Sequence, residues 1–253
     1  MTVNLIVGDN LEIMKRMNDS QFQMVYLDPP FNTGNTQKLG ALSYEDRFFD
    51  YWDFLSPRLV EAWRLLKDTG TLYLHLDYRE VHYAKVELDK IFGSECFLNE
   101  IIWAYDYGAR ATKKWPTKHD NILVYVKNPR TYYYNNEEVD REPYMAPGLV
   151  GPEKAARGKL PTDVWWHTIV PTNGKERTGY PTQKPEGIIR RMMTASTRRG
   201  DWVLDPFAGS GTTGAVAIKT GREYVLIDNN PMAFDLIEKR LRAVGEGMEK
   251  WLA

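Results

Sequence analysis

The stretch that decides the fold is Trp202-Val203-Leu204-Asp205-Pro206-Phe207-Ala208-Gly209-Ser210-Gly211-Thr212-Thr213. Its apolar beginning predicts a buried strand, and its end predicts the start of a helix that runs to Lys219. The two glycines allow the backbone to approach a ligand closely, and the helix start offers free N–H groups to a carboxylate or phosphate. The turn therefore favours a nucleotide-like ligand, although a tight strand-to-helix connection would also explain the glycines.

The residues around this turn narrow the kind of ligand. A Walker phosphate loop is excluded, because Thr212 stands where that motif requires lysine. A second strand over Tyr224–Ile227 is followed by Asp228, about 20 residues after the glycines, where a Rossmann pattern places its ribose-binding acid. Asn230 and Pro231 then predict the cap and first residue of a last helix.

Short apolar runs and helical patterns alternate at both ends of the chain. This alternation predicts an α/β fold with a doubly wound, mostly parallel, Rossmann-like sheet. The predicted strands and helices, in addition to those named above, are strands at 3–7, 23–27, 71–76 and 121–126, a helix capped by Asn10, and helices within 50–67, at 79–91 and from Pro185.

A second polar turn, Tyr26-Leu27-Asp28-Pro29-Pro30-Phe31-Asn32, also follows a predicted strand. Open α/β sheets bind ligands at the carboxyl ends of their strands. If the Asp28 carboxylate and the Pro29 carbonyl accept both N–H groups of an exocyclic amine, its nitrogen lone pair turns towards an electrophile. Phe31 offers a face for an extruded base, and the prolines stiffen the turn. A proline strand terminator with a helix-capping Asp would give the same four residues.

Together these motifs resemble the β-ordered DNA amino-methyltransferases that use S-adenosylmethionine, the N6-adenine and N4-cytosine type. In that family the catalytic motif precedes the cofactor motif, a circularly permuted order. The matching blocks, in chain order, are Gly8-Asp9-Asn10-Leu11-Glu12, Asp28-Pro29-Pro30-Phe31, Pro181-Thr182-Gln183-Lys184-Pro185, Asp205 to Thr213, and Asp228. They span both ends of the chain, about two thirds of it, and independent motifs in the right contexts rarely coincide.

The resemblance implies a site-specific DNA methyltransferase, of the kind found in restriction-modification, that acts on a flipped-out base. The implied catalytic residues are Asp28, Pro29, Pro30 and Phe31. The implied cofactor-binding residues are Asp205, Phe207, Ala208, Gly209, Ser210, Gly211 and Thr212 around the methionine part and adenosine, Asp228 at the ribose, Thr182, Gln183 and Lys184 near the carboxylate, and Asp9 by the adenine. The family motif usually ends in Tyr, so Phe31 keeps stacking and loses any hydroxyl contact. Asp28 favours adenine, because the cytosine enzymes more often have Ser there.

The middle of the chain differs in charge from its ends. Residues 1–104 have 10 Lys and Arg against 16 Asp and Glu, residues 105–200 have 17 against 10, and residues 201–253 have 6 against 8. A basic middle suits a surface that faces nucleic acid, and a solvated face would give the same count. We predict a catalytic half over 1–104, an inserted target-recognition lobe over 105–180 and a cofactor-binding half over 181–253.

The predicted insertion contains cations and aromatic residues suited to double-stranded DNA. The candidate DNA-contacting residues are Arg110, Lys113, Lys114, Lys118 and His119, with Trp115 among them. Trp165-Trp166-His167 and Tyr132-Tyr133-Tyr134 suit base stacking or a packed core or strand equally. The polar stretch Asn32–Arg47 is either a lid over the bound nucleotide or a plain surface loop.

Several alternatives stay open at this stage. The same chemistry serves the N4 amine of cytosine, RNA is a possible substrate, and a non-catalytic nucleic-acid-binding subunit with this fold is the rival from another class. Carbon-5 methylation needs a cysteine nucleophile, and Cys96 lacks the expected proline before it. The sequence shows no zinc spacing, leader or membrane span, so we expect no metal and a cytoplasmic protein of a bacterium or phage-infected cell. The family adds the expectation of a homodimer.

Overall fold

The computed structural model describes residues 4–39, 42–106 and 111–252, which form ten strands and seven α-helices. The strands are β1 (Leu5–Val7), β2 (Phe22–Leu27), β3 (Asn35–Leu39), β4 (Leu42–Asp46), β5 (Leu66–Leu76), β6 (Phe97–Ala104), β7 (His119–Val126), β8 (Val164–Trp166), β9 (Trp202–Asp205) and β10 (Glu223–Asp228). The helices are α1 (Asn10–Met14), α2 (Tyr51–Leu65), α3 (Val81–Phe92), α4 (Pro152–Arg157), α5 (Glu186–Ser196), α6 (Thr212–Thr220) and α7 (Pro231–Leu252).

Eight of these strands form one sheet in the order β1-β10-β9-β2-β5-β7-β6-β8. The five strands from β1 to β5 in this order run parallel, and β7 runs antiparallel between β5 and β6. From β9 the chain continues to β10 through α6, which packs on one face of the sheet. From β2 it continues to β5 through α2, which packs on the opposite face. Neighbouring strands whose connections diverge in this way leave a crevice at their carboxyl ends.

Helices cover both faces of the sheet. Buried residues of α1, α2 and α3, such as Leu59 and Leu88, pack on one face, and residues of α5, α6 and α7, such as Ile189 and Ile237, pack on the other. All six residues of β2 are buried. This two-sided cover explains why its sequence is an almost unbroken apolar run.

The predicted α/β fold with a mostly parallel sheet is confirmed, but one predicted helix cap is wrong. Asp9, not Asn10, caps α1, because its carboxylate accepts the N–H groups of Leu11 and Glu12. Asn10 is instead buried, and its Nδ2 donates to the Pro206 carbonyl at 2.7 Å. Asp and Asn both cap helices well, so local sequence does not decide between Asp9 and Asn10. The contact between Asn10 and the distant Pro206 explains why Asp9 is the cap.

Residues 105–180 lie partly within the sheet. β7 occupies an interior position between β5 and β6, and β8 extends the edge beyond β6. Outside these strands the described residues of the segment are mostly irregular, apart from α4 and a 3-10 turn at Pro147–Leu149. Its role in target recognition stays a prediction. Within the described residues, no helix combines the length and apolar character needed to span a membrane.

Candidate active site

The two motif turns meet at the carboxyl edge of the sheet. β2 and β9 are neighbours, with Met24 opposite Val203 and Val25 opposite Leu204, so the turns that follow them emerge side by side. They enclose a cavity of about 570 Å³. The predicted site residues that line it are Asp9, Asp28, Pro29, Pro30, Phe31, Thr182, Gln183, Lys184, Asp205, Phe207, Ala208, Gly209, Ser210, Thr212 and Asp228.

The glycine turn is held from the neighbouring strand. Gly209 has a φ of +51°, and its N–H donates to Asp228 Oδ2 at 2.7 Å. Asn230 N–H donates to the other oxygen at 2.8 Å. Burial raises the pKa of Asp228, and these two hydrogen bonds oppose the rise. Gly211 does not line the cavity: a Cβ there would lie 2.7 Å from Cγ2 of Ile237, so this glycine permits close packing on α7.

Asp205 is buried at the base of the glycine turn. Thr213 Oγ1 donates to its Oδ2 at 2.5 Å, and Phe207 N–H donates to its Oδ1 at 3.0 Å. Burial raises the pKa of Asp205 to about 7, and the nearby charges of Asp28 and Asp228 add to the rise against the two hydrogen bonds. Near neutral pH this carboxyl group therefore carries a proton part of the time.

Long-range hydrogen bonds hold the predicted catalytic turn after β2. The Tyr51 hydroxyl donates to the Pro30 carbonyl at 2.7 Å. Asn32, with a left-handed φ of +55°, donates its N–H to Asp46 Oδ1 at 2.6 Å, and Thr33 Oγ1 donates to Asp46 Oδ2 at 2.5 Å. Asp46 is the last residue of β4, so the polar stretch after the turn is a β-hairpin that returns to support it.

Lys184 lies directly on the predicted catalytic carboxylate. Its Nζ is 2.7 Å from Asp28 Oδ1 and 2.8 Å from Oδ2, and it lies 4.8 Å from the centre of the Phe31 ring. The side chains of Lys184 and Asp28 are only 10% and 17% exposed. The resemblance assigns Lys184 to the cofactor carboxylate, and the sequence contained no signal that it also reaches Asp28.

A network of hydrogen-bonded polar side chains lies next to Phe31. The Tyr26 hydroxyl is hydrogen-bonded to His75 Nδ1 at 2.8 Å, His75 Nε2 is hydrogen-bonded to Asp120 at 3.2 Å, and the half-buried Tyr105 donates to the same carboxylate. The Phe31 and His75 rings are 5.8 Å apart. Sequence reasoning missed this network. The sequence did contain one indication of this network: His75 lies within the apolar strand Thr71–Leu76, and a buried imidazole needs polar partners.

Arg58 is another buried residue that sequence reasoning missed. Its Nη2 donates to Asp9 at 2.9 Å, its Nε donates to Asn10 Oδ1 at 2.6 Å, and its guanidinium lies 4.0 Å from the centre of the Phe54 ring. Its position between Leu55 and Leu59, on the apolar face of α2, was a signal that it is buried and paired. Through Asn10 this cluster also reaches Pro206 of the glycine turn.

The loop before α5 forms another wall of the cavity. Gln183 Oε1 accepts the N–H and the hydroxyl of Thr178, both at 2.9 Å, so this side chain fixes its own loop. Thr182 has a left-handed φ of +59°. Tyr180, which was not predicted, lies beside Gly209, where its ring would be 3.3 Å from an added Cβ.

Of the predicted DNA contacts, Lys113, Lys114 and Lys118 lie in the connection between β6 and β7, and His119 is the first residue of β7. Lys113 and Lys114 are exposed, Lys118 and His119 are half-buried, and Arg110 lies outside the described residues. β6 ends and the antiparallel β7 begins at the carboxyl edge of the sheet, where Ala104 pairs with His119. The connection therefore emerges from the same edge as the predicted catalytic turn.

The chain is similar to DNA methyltransferases both in sequence and in fold. A family model for N6/N4 enzymes, described as DNA methylase, matches residues 22–239. The chain is 33% identical over 235 residues to the DNA adenine methyltransferase YhdJ of Escherichia coli strain K12, across 89% of this chain and 78% of that protein. It is 31% identical over 249 residues to the type II methyltransferase M.HpaI of Haemophilus parainfluenzae, across 98% and 77%. The crystal structure of the M1.HpyAVI–SAM complex has a similar fold, with a TM-score of 0.64 at 20% identity over 94% of this chain and 99% of that one.

Proposed function

The chain belongs to the N6/N4 family of DNA methylases, and we propose that it methylates the N6 amino group of adenine at a specific short site in double-stranded DNA. The single cavity that joins Asp28 to the glycine turn at Gly209 carries this proposal. Methyl transfer to an amine requires a polar acceptor for the amine beside a site for the methyl donor, and this cavity has both.

The cofactor we propose is S-adenosylmethionine, which supplies an electrophilic methyl group. The residues fit such a molecule: Gly209 leaves backbone exposed where any Cβ would approach Tyr180, and Ser210, Thr212 and Asp228 add polar groups around it. The volume of about 570 Å³ is in the range of small-molecule sites. A complex with SAM in M1.HpyAVI, which has a similar fold, supports the same assignment.

Asp28, Pro29 and Phe31 would act on the base. The Pro29 carbonyl, next to Asp28, would be the second acceptor for the amine, and the Pro30 carbonyl already accepts the Tyr51 hydroxyl. Phe31 would stack on the extruded base, offsetting part of the few kcal/mol that unstacking costs. The carboxylate also favours the positive charge that develops on the amine nitrogen during transfer.

Adenine is favoured over cytosine by two observations. Asp occupies position 28, and YhdJ, at 33% identity, is a DNA adenine methyltransferase. The second candidate is the N4 amine of cytosine, because the family includes both types and a carboxylate with a carbonyl suits either amine. A catalytically inactive DNA-binding subunit is disfavoured by the complete cavity.

The setting of the reaction is proposed from the same relatives. M.HpaI is a type II methyltransferase, which supports a role in restriction-modification. A homodimer and a cytoplasmic location in a bacterial or phage-infected cell stay predictions. Light scattering with and without DNA tests the dimer, and a monomer in both conditions would contradict it.

One experiment tests the proposed function. The protein is incubated with unmethylated genomic DNA and labelled S-adenosylmethionine, and the modified nucleoside is identified by mass spectrometry and its context by methylation-aware sequencing. We expect N6-methyladenine in a short recurrent sequence. Asp28→Ala should lose at least about 100-fold in rate without losing cofactor binding, while the exposed Asp235→Ala on α7 serves as the control. N4-methylcytosine would select the second candidate, and cofactor-independent DNA binding without any methylation would select the inactive subunit.

A further inference from the structure

Lys184 joins the two halves of the cavity. Its backbone carbonyl accepts a hydrogen bond from Thr212 Oγ1 at 3.0 Å, at the start of α6 just after the glycine turn. Its ammonium group lies within 2.8 Å of both Asp28 oxygens, on the catalytic side. One residue is thus anchored beside the cofactor motif and has its charge on the catalytic carboxylate.

The position of the ammonium group conflicts with the proposed binding of the base. It neutralises the carboxylate that should accept the amine, and it lies over the Phe31 ring that should stack on the base. The pair is largely buried, so solvent screens this attraction much less than at the surface. Asp28 therefore binds an amine strongly only after Lys184 has another partner.

Few cations in the cavity could receive a ligand carboxylate. Among the described residues that line it, the cations are Lys184 and Arg58. Arg58 already donates to Asp9, to Asn10 and to the Phe54 carbonyl. Lys184 has a flexible four-carbon side chain with three donors, so it can change partner by rotation about its side-chain bonds without movement of its backbone.

We propose that Lys184 exchanges partners when the cofactor binds, leaving Asp28 for the methionine carboxylate and so releasing Asp28 for the target amine. This inference rests on the proposed function. It makes Lys184 a positioning residue for Asp28, and it makes cofactor binding the event that prepares the base site. Since Lys184 must leave Asp28, the ion pair weakens cofactor affinity in the unliganded protein.

A double-mutant cycle on cofactor affinity tests the exchange without measuring activity. The probe is S-adenosylhomocysteine, which keeps the carboxylate and lacks the sulfonium charge that Asp28 itself would attract. Isothermal titration compares the wild type with Asp28→Asn, Lys184→Met and the double variant. We expect Asp28→Asn to bind the probe about fivefold more tightly, because Lys184 no longer has to leave a charged partner. Lys184→Met should bind about tenfold more weakly, and Asp28→Asn should have no effect in that background.

Two outcomes overturn the exchange: unchanged or weaker binding by Asp28→Asn, or an equal effect of Asp28→Asn in both backgrounds. Lys184→Met leaves Asp28 without its ion-pair partner and could fail to fold for that reason. In that case the affinity of Asp28→Asn for the probe, compared with that of the wild type, decides whether the exchange occurs. Lys90→Met on α3, whose partner is Glu87, is the matched ion-pair control outside the cavity. A wild-type protein that neither binds the probe nor methylates DNA would instead refute the proposed function.

Discussion

At the scale of single residues, Gly209 shows why the turn that we propose for the cofactor needs glycine. Its φ is +51°, and a Cβ there would approach Tyr180, another residue that lines the cavity. We expect Gly209→Val to weaken S-adenosylmethionine binding by about 100-fold, because a β-branched side chain is strained at this φ and narrows the site. Isothermal titration measures the loss.

Gly200 provides the matched control for that substitution. Its φ is +82°, and an added Cβ would meet nothing within 4 Å. Gly200→Val should therefore lower the thermal stability through comparable backbone strain and keep the wild-type cofactor affinity. Equal affinities in the two variants would mean that the glycine turn does not bind the cofactor.

Asp205 makes a pH-dependent contribution to stability. Its pKa is raised to about 7 in the folded protein, above about 3.9 in the unfolded chain, so the folded state binds the extra proton. The free energy of unfolding should then fall as the pH rises from about 4 to about 7, by as much as about 4 kcal/mol from this group. Urea denaturation without cofactor should show this loss in the wild type relative to Asp205→Asn. Stability curves that stay parallel across this pH range would contradict the assignment.

At the scale of secondary-structure elements, the hairpin of β3 and β4 supports the proposed catalytic turn through Asp46. We expect Asp46→Ala to lower kcat about 10- to 100-fold, because the left-handed Asn32 and the adjoining Phe31 lose their anchor. It should also lower the free energy of unfolding by about 1–3 kcal/mol. Methyl-transfer kinetics and urea denaturation measure the two effects.

The control for Asp46→Ala is the same substitution at Asp50, the residue that caps the next element, α2. Asp50 caps α2 by accepting the N–H groups of Trp52 and Asp53, so Asp50→Ala should cost about 1 kcal/mol and leave kcat near the wild-type value. A parallel fall of kcat in both variants would mean that general destabilisation, not the turn, controls the rate. Closure of the hairpin as a lid stays a prediction.

The elements also differ in how well the sequence predicted them. Helices α2 and α3 have a clear apolar face, and β2 and β9 are short apolar runs bounded by turn residues, so local pattern was enough. β6 was missed because Asn99 and Glu100 divide its apolar residues into two short runs, Phe97-Leu98 and Ile101-Ile102-Trp103-Ala104, that show no strand alternation. Its strand conformation comes from pairing along β7.

At the scale of the whole molecule, the connection from β6 to β7 brings the exposed Lys113 and Lys114 to the edge that contains the proposed active site. We expect the double variant Lys113→Gln with Lys114→Gln to lower the slope of log binding constant against log salt by about 2, because each phosphate contact contributes about 0.9. Fluorescence anisotropy on duplex DNA at several salt concentrations measures the slope.

The control pair for the salt dependence is Lys15 and Lys90, both exposed and paired with glutamates on α1 and α3. Their double substitution to Gln should leave the slope unchanged. If it lowers the slope as much as the Lys113 and Lys114 variant does, DNA binding follows the total charge of the protein and not the predicted connection.

Local sequence predicted most of the elements that flank the two turns, and it suggested the chemistry that we propose for those turns. Strands followed by Asp28-Pro29-Pro30-Phe31 and by Gly209-Ser210-Gly211 are recognisable because residue spacing determines which side chains share a face or a turn. The tertiary structure settled which polar side chains meet: Lys184 with Asp28, Arg58 with Asp9, and His75 with Asp120. These partners lie far apart in the chain, and their contacts depend on which strands and helices become neighbours, which no local pattern contains.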